Sequence, residues 1–189
     1  MKVNVPIPSA IGSPPLKLLS PEVPEILQVQ TEWCWATCAT MVVHFYGSPN
    51  ANKCDFANWL FTQTTCCINP DSNNCNQGCQ TDDIKKVYSQ WGIESTINGS
   101  VTSNILVAEI DANRPIEVRF AWDDGYGGYS GGHVVLVVGY ENSPSPDTFL
   151  VNDPWYGQGF HNYNELMTAY GKGVWSNTWT GIQKAAGLG

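Results

Sequence analysis

The stretch QVQTEWCWATCATMVVHFYG, residues 28–47, governs how the rest of the chain is read. From Trp33 to Tyr46 the apolar residues Ala36, Ala39, Val42, Val43 and Tyr46 recur at intervals of three and four, the spacing of one helix face. Gly47 supplies a C-terminal stop. The spacing therefore predicts a helix with Cys34 in its first turn. Unpaired backbone N–H groups and the positive end of the helix dipole favour a thiolate there over a thiol. Cys34 reads as a nucleophile, the competing reading being one half of a disulfide.

A sulfur nucleophile needs a general base, and the chain holds three histidines. His44 falls inside the same predicted helix, nearly three turns beyond Cys34, and cannot face it. His161, in YGQGFHNY, reads as a solvated loop residue. His133 follows Gly131 and Gly132 and opens the apolar run VVLVVGY, so its imidazole is expected at a strand entrance, a rigid mount for a base. A third group must hold the tautomer of such a histidine. The segment TFLVNDPWYG delivers Asn152 and Asp153 at the end of the next predicted strand, although an Asp before Pro154 also reads as a turn residue.

Outward from these residues, 189 residues suit one domain with a sizeable core. Residues 1–27 hold six prolines and no periodic pattern, and are expected as an N-terminal arm ahead of a domain spanning 28–189. Its opening, MKVNVPIPSAIGSPP, lacks an apolar signal segment, so any secretory signal is expected to have been removed. A second helix is predicted with Thr81 as N-cap and Gly92 as stop, and a third over 103–112, ended by Arg114-Pro115. After Pro115 the runs IEVRFAW, HVVLVVGY and TFLVND are β-branched and aromatic. Helices first and strands later predict an α+β fold, a helical part packed on a mainly antiparallel sheet.

With 9 basic residues against 17 acidic ones, a net charge of −8, there is no basic patch for nucleic acid. No apolar run is long enough for a bilayer span. Seven cysteines, five of them between 54 and 79 among Asn, Asp, Pro and Gly, point to disulfides and to a secreted or periplasmic protein. Cys66 and Cys67 are not expected to bond each other, and no connectivity follows from spacing. Zinc held by Cys66, Cys67, Cys75 and Cys79 is the weaker reading, because paired C-x-x-C knuckles are missing; no metal or cofactor is expected.

Gln28, Cys34, His133 and then Asp153 or Asn152, followed by Trp155 in DPW, stand in an order that resembles the papain-like cysteine peptidases. WCWATC together with VNDPW is similar to the compact bacterial members, effector proteases and bacteriocin-leader peptidases, over roughly residues 28–170. The resemblance implies Cys34 as nucleophile, His133 as acid and base, Asp153 as its orienting partner, with Asn152 as substitute, and Gln28 beside the Cys34 N–H in the oxyanion hole. Trp155 would shield the orienting residue, and Trp33 would border the cleft while Trp35 packs inside. On this reading six cysteines form three disulfides and leave Cys34 free. The expected activity is that of a monomeric endopeptidase acting on protein or peptide substrates. The same thiolate also suits an effector or toxin that deamidates a protein or cleaves an isopeptide. A disulfide-stapled binding module, its 8 Trp and 8 Tyr lining a surface, is the non-enzymatic reading. Asp123 and Asp124, in WDDGYGGYSGGH, would favour basic substrate side chains if that loop lined the cleft.

Overall fold

Helix α1 (Cys34–Phe45) is buried on nearly every side, only Cys34 and His44 reaching partial exposure. Such a helix must be covered all round, which its small residues Ala36, Thr37, Ala39 and Thr40 permit by letting neighbours approach closely. The hydroxyls of Thr37 and Thr40 donate to the carbonyls of Trp33 and Ala36 one turn back, so neither is buried unsatisfied. Gly47, at φ 93°, turns the chain out of the helix as the sequence predicts.

The computed structural model describes residues 15–143 and 145–187, so the leading half of the Pro-rich arm lies outside the described residues. Four further helices are α2 (Lys53–Leu60), α3 (Thr81–Gln90), α4 (Ser103–Asp111) and α5 (Tyr163–Met167). The strands are β1 (Leu16–Leu18), β2 (Ile93–Asn98), β3 (Ile116–Asp123), β4 (Tyr129–Glu141), β5 (Thr148–Asp153), β6 (Gly157–Asn162) and β7 (Gly173–Lys184). They form one antiparallel sheet in the order β2-β7-β3-β4-β5-β6, with β1 on β4. Helix α1 packs on β4, the strand that carries His133, and a single apolar core runs between helices and sheet.

The predicted α+β architecture holds, with three differences. Helix α3 starts one residue earlier than predicted: Gln80 is the cap, its N–H received by the Asp83 carboxylate, and Thr81 is the first helical residue. The sheet reaches into both ends of the domain, since β2 lies between α3 and α4, and β6 and β7 follow β5. His161 belongs to β6, not to a solvated loop, and its ring packs on Tyr170 at 4.4 Å.

The cysteines also differ from expectation. Two disulfides form, Cys54–Cys67 and Cys66–Cys75, while Cys34, Cys38 and Cys79 stay free. Cys38 is held inside the core, its thiol against the Val134 carbonyl at 3.5 Å. Burial and the surrounding negative charges push both the Cys38 and Cys79 thiols upward, so neither is disposed to ionise.

The arm is part of the domain from residue 16 onward. Leu19 and Val23 join the core, and β1 takes up the edge of β4 that β3 leaves beyond Ile116. Gly139 makes that approach possible: a Cβ there would lie 2.6 Å from Leu18 Cδ2 and 2.7 Å from the Lys17 carbonyl. Gly139→Ala is expected to cost about 1–3 kcal/mol, the range for overpacking. Thermal melting would register that loss, and faster amide exchange at residues 16–19 would place it at β1.

Candidate active site

Three elements deliver three side chains to one place. Cys34 is the first residue of α1, His133 sits in the outer part of β4, and Asp153 ends β5. Antiparallel pairing of β4 with β5, Leu136 opposite Asn152, carries Asp153 toward His133. His133 Nε2 lies 2.8 Å from Asp153 Oδ1, with both groups buried. That leaves Nδ1 as the ring nitrogen available to a thiol. Asp153 Oδ1 also accepts the backbone N–H groups of Trp155 at 2.7 Å and Tyr156 at 3.1 Å, so the turn after β5 fixes the carboxylate.

Burial opposes a charge on His133, but hydrogen bonds to Asp153 and to Cys34, with the charges behind them, outweigh it and push the imidazole up to about 9. Burial likewise raises Asp153, and the His133 hydrogen bond and charge, with the two backbone N–H groups, more than reverse that, holding its carboxyl below the ordinary range. The imidazole is therefore charged at neutral pH and its partner is ionised.

Cys34 and His133 line one cleft of about 990 Å³ between the helical part and the sheet. No side chain caps α1, and among the described residues no backbone acceptor faces the N–H groups of Cys34, Trp35 or Ala36. A cluster of unspent donors thus points out of the helix beside the sulfur.

Both tryptophans around Cys34 are buried, and it is Trp35, not Trp33, that adds to the cleft wall. Trp33 is fully buried, its indole N–H donating to the Cys75 carbonyl at 2.7 Å. Trp35 donates to the Gln77 carbonyl at 3.0 Å and contributes to the cleft wall. Together they pin the cysteine-rich segment onto the head of α1. Trp155 is half exposed and lines the cleft.

Asn152 points away from His133. Its amide donates weakly to the carbonyls of Val23 and Pro24, and its oxygen accepts from Gln158 at 2.9 Å, so it fastens the arm and does not stand in for Asp153. Gln28 does not line the cleft: its amide nitrogen donates to the carbonyls of Gln30 at 2.8 Å and Thr31 at 3.0 Å. Its backbone N–H donates to the Pro154 carbonyl at 2.8 Å, tying the segment before Cys34 to the turn after Asp153.

Asp123 and Asp124 are spent on their own hairpin, accepting the N–H groups of Gly125, and of Tyr126 and Gly128. Neither reaches the cleft wall. Sequence reading missed Trp122, whose ring lies nearly parallel to His133 at 6.0 Å, and Tyr170, whose buried hydroxyl is raised first by burial and then by Asp153. Trp122 opens the WDDGYGGYSGGH stretch that ends in His133, and Tyr170 follows α5; only strand pairing and the turn before β7 bring their rings to the site.

Helices stacked on this antiparallel sheet, with the thiol of one facing the imidazole of the other, are the architecture of papain-like cysteine peptidases. The chain belongs to the Peptidase_C39 like family, whose model matches residues 21–185, and is a cysteine peptidase. The peptidase domain of Streptococcus ComA, a bifunctional ABC transporter involved in a quorum-sensing pathway, has the same fold: TM-score 0.53, 15% identity, covering 87% of this chain and 98% of that one. A double glycine motif protease from an AMS/PCAT transporter, solved with its leader peptide, is similar at TM-score 0.47 and 14% identity, covering 90% of this chain and 95% of that one. A structure of the mite allergens Blo t 1 and Der p 1 gives TM-score 0.49 and 14% identity, covering 94% of this chain and 74% of that one. Among curated proteins, none matches the chain.

Because the folded His133 titrates above its ordinary 6.5, its charge adds stability that is complete below that value and is lost as pH rises through about 9. Asp153 works in the opposite sense, its contribution present at neutral pH and lost as pH falls through its depressed folded value. Asp153→Asn keeps the shape and removes the charge. It is expected to lower the His133 titration by about one unit or more, which an NMR pH titration of the imidazole would read directly.

Proposed function

We propose that this protein is an endopeptidase that cleaves peptide bonds in proteins or peptides, with Cys34, His133 and Asp153 as its catalytic triad. The observation that carries the reading is the Asp153–His133 hydrogen bond at 2.8 Å in the cleft that Cys34 enters from the head of α1. Cys34 Sγ attacks the scissile carbonyl carbon as thiolate, and the π electrons move onto oxygen. The tetrahedral adduct collapses to a thioester as His133 gives its proton to the leaving amine. Neutral His133 then takes a proton from water, whose oxygen attacks the thioester and releases the acid and the Cys34 sulfur. Asp153 keeps the imidazole oriented and stabilises its charged form.

The Cys34 N–H, left without an acceptor by the uncapped helix, is the first oxyanion donor. Gln28 is the second, provided its amide exchanges the Gln30 or Thr31 carbonyl for the developing oxyanion. Removing one such donor costs about 10²–10³ in turnover. Gln28→Ala is therefore expected to lower kcat more than it raises KM; an unchanged kcat with a lowered Tm would make Gln28 a residue of the turn alone.

Two disulfides favour a secreted or periplasmic protein, and among the described residues no helix is long and apolar enough to cross a membrane. A cleft of about 990 Å³, lined by Cys34 and His133, has room for a stretch of peptide chain.

The reading is tested by treating the unreduced protein with an irreversible epoxide inhibitor directed at thiols and mapping the adduct by mass. Modification of Cys34, with Cys38 and Cys79 untouched and with loss of labelling in His133→Ala, is the expected result. Labelling that ignores His133 would overturn it, and a protein substrate made about one dalton heavier without being split would indicate deamidation instead.

A further inference from the structure

The chain has two arginines, and they sit in opposite circumstances. Arg114 forms a forked pair with Glu109 at 2.8 and 2.9 Å. Arg119 on β3 lines the cleft with Cys34 and His133, and among the described residues no carboxylate lies within ion-pairing distance of it. In a chain with 17 acidic residues against 9 basic ones, a half-buried guanidinium without a counter-charge is the exception.

Its head is also held in place. Arg119 Nη1 donates to Ser176 Oγ at 3.0 Å, and that hydroxyl donates to the Arg119 carbonyl at 3.1 Å, a closed loop between β3 and β7. The other amino group passes over Gly132, where a Cβ would lie 2.5 Å from the Phe120 carbonyl and 3.0 Å from Nη2. Gly132 directly precedes His133, and its lack of a side chain lets both the β3 backbone and the guanidinium lie close to the wall beside the catalytic base. Nε and Nη2 have no hydrogen-bond partner among the described residues. Lys172, further along this wall, is tied only to the Tyr156 hydroxyl at 3.1 Å and lies over that ring. The acidic Glu32 belongs to the opposite wall, beside Gly78.

We infer that this wall is an anion subsite, with Arg119 as a forked receptor for a substrate carboxylate and Lys172 as the outer cation. The inference rests on the peptidase reading and adds a substrate class to it: peptides that place a carboxylate against β3 and β7 when their scissile bond meets Cys34. An Asp or Glu side chain and a free C-terminal carboxylate offer the same chemistry, and a planar carboxylate matches the guanidinium fork.

The test uses paired peptides: Glu against Gln at each position around the scissile bond, and C-terminal acid against amide. In the wild-type protein, one Glu-to-Gln change is expected to lower kcat/KM at least tenfold if the subsite takes a side chain, and the acid-to-amide change if it takes a chain end. In Arg119→Gln that ratio falls to about one. Arg119→Lys, which retains charge but not the fork and guards against misfolding of the first variant, keeps a reduced ratio. Equal cleavage of all pairs by wild type, or an undiminished ratio in Arg119→Gln, overturns the subsite. If wild type cleaves no peptide, the peptidase reading fails, and binding of the same pairs to Cys34→Ser protein, followed by tryptophan fluorescence, decides the subsite: tighter binding of the carboxylate member supports it and equal binding overturns it.

Discussion

The packing of α1 on β4 is the contact on which everything else depends. It buries a helix on almost every side, and it is also what brings sulfur to imidazole, since the helix carries Cys34 and the strand carries His133. Cys38, one turn into the helix, touches the Val134 carbonyl, and Val134 is the residue after His133. The core contact and the reactive pair are thus separated by one helical turn and one strand residue. Close packing of the interior leaves little freedom to shift one without the other.

The joint between helices and sheet has a polar element as well. Glu117 of β3 is buried and receives the hydroxyl of Tyr88 from α3. Burial pushes its carboxyl up to about 8 although the Tyr88 bond pulls the other way, so the group is mostly protonated at neutral pH. A neutral hydrogen-bonded pair crosses the layer at lower desolvation cost than an ion pair would. Two residues along the same strand stands Arg119, a cation facing the cleft; alternation along β3 places Glu117 under the helices and Arg119 at their edge.

Much of this was legible in the sequence because the informative residues are local. The three-and-four spacing after Trp33 fixes α1, the β-branched runs fix β3, β4 and β5, and Cys34 and Asp153 sit at the ends of such elements with His133 in the outer part of β4. What the sequence concealed depends on tertiary partners. Trp33 and Trp35 have equivalent positions in the text of the chain and both are buried, and only their partners, the carbonyls of Cys75 and Gln77, decide which of them also meets the cleft. Asn152 and Asp153 are adjacent candidates until strand alternation sends one to the arm and the other to His133. Counting cysteines misleads because burial keeps Cys38 a thiol without any disulfide. Gly-rich or short strands such as β6 carry too few β-formers to announce themselves, and they exist because β5 offers a free edge.

The link between Cys38 and Val134 spans 96 residues of chain, and no local structure substitutes for it. An emerging polypeptide therefore presents Cys34 long before the strand that carries His133 has been made. Until β4 is in place the thiol has no imidazole partner, and closure of so long a loop comes late among folding events. The pairing of Cys34 with His133 is therefore a property of the completed chain, absent from a nascent or partly unfolded molecule.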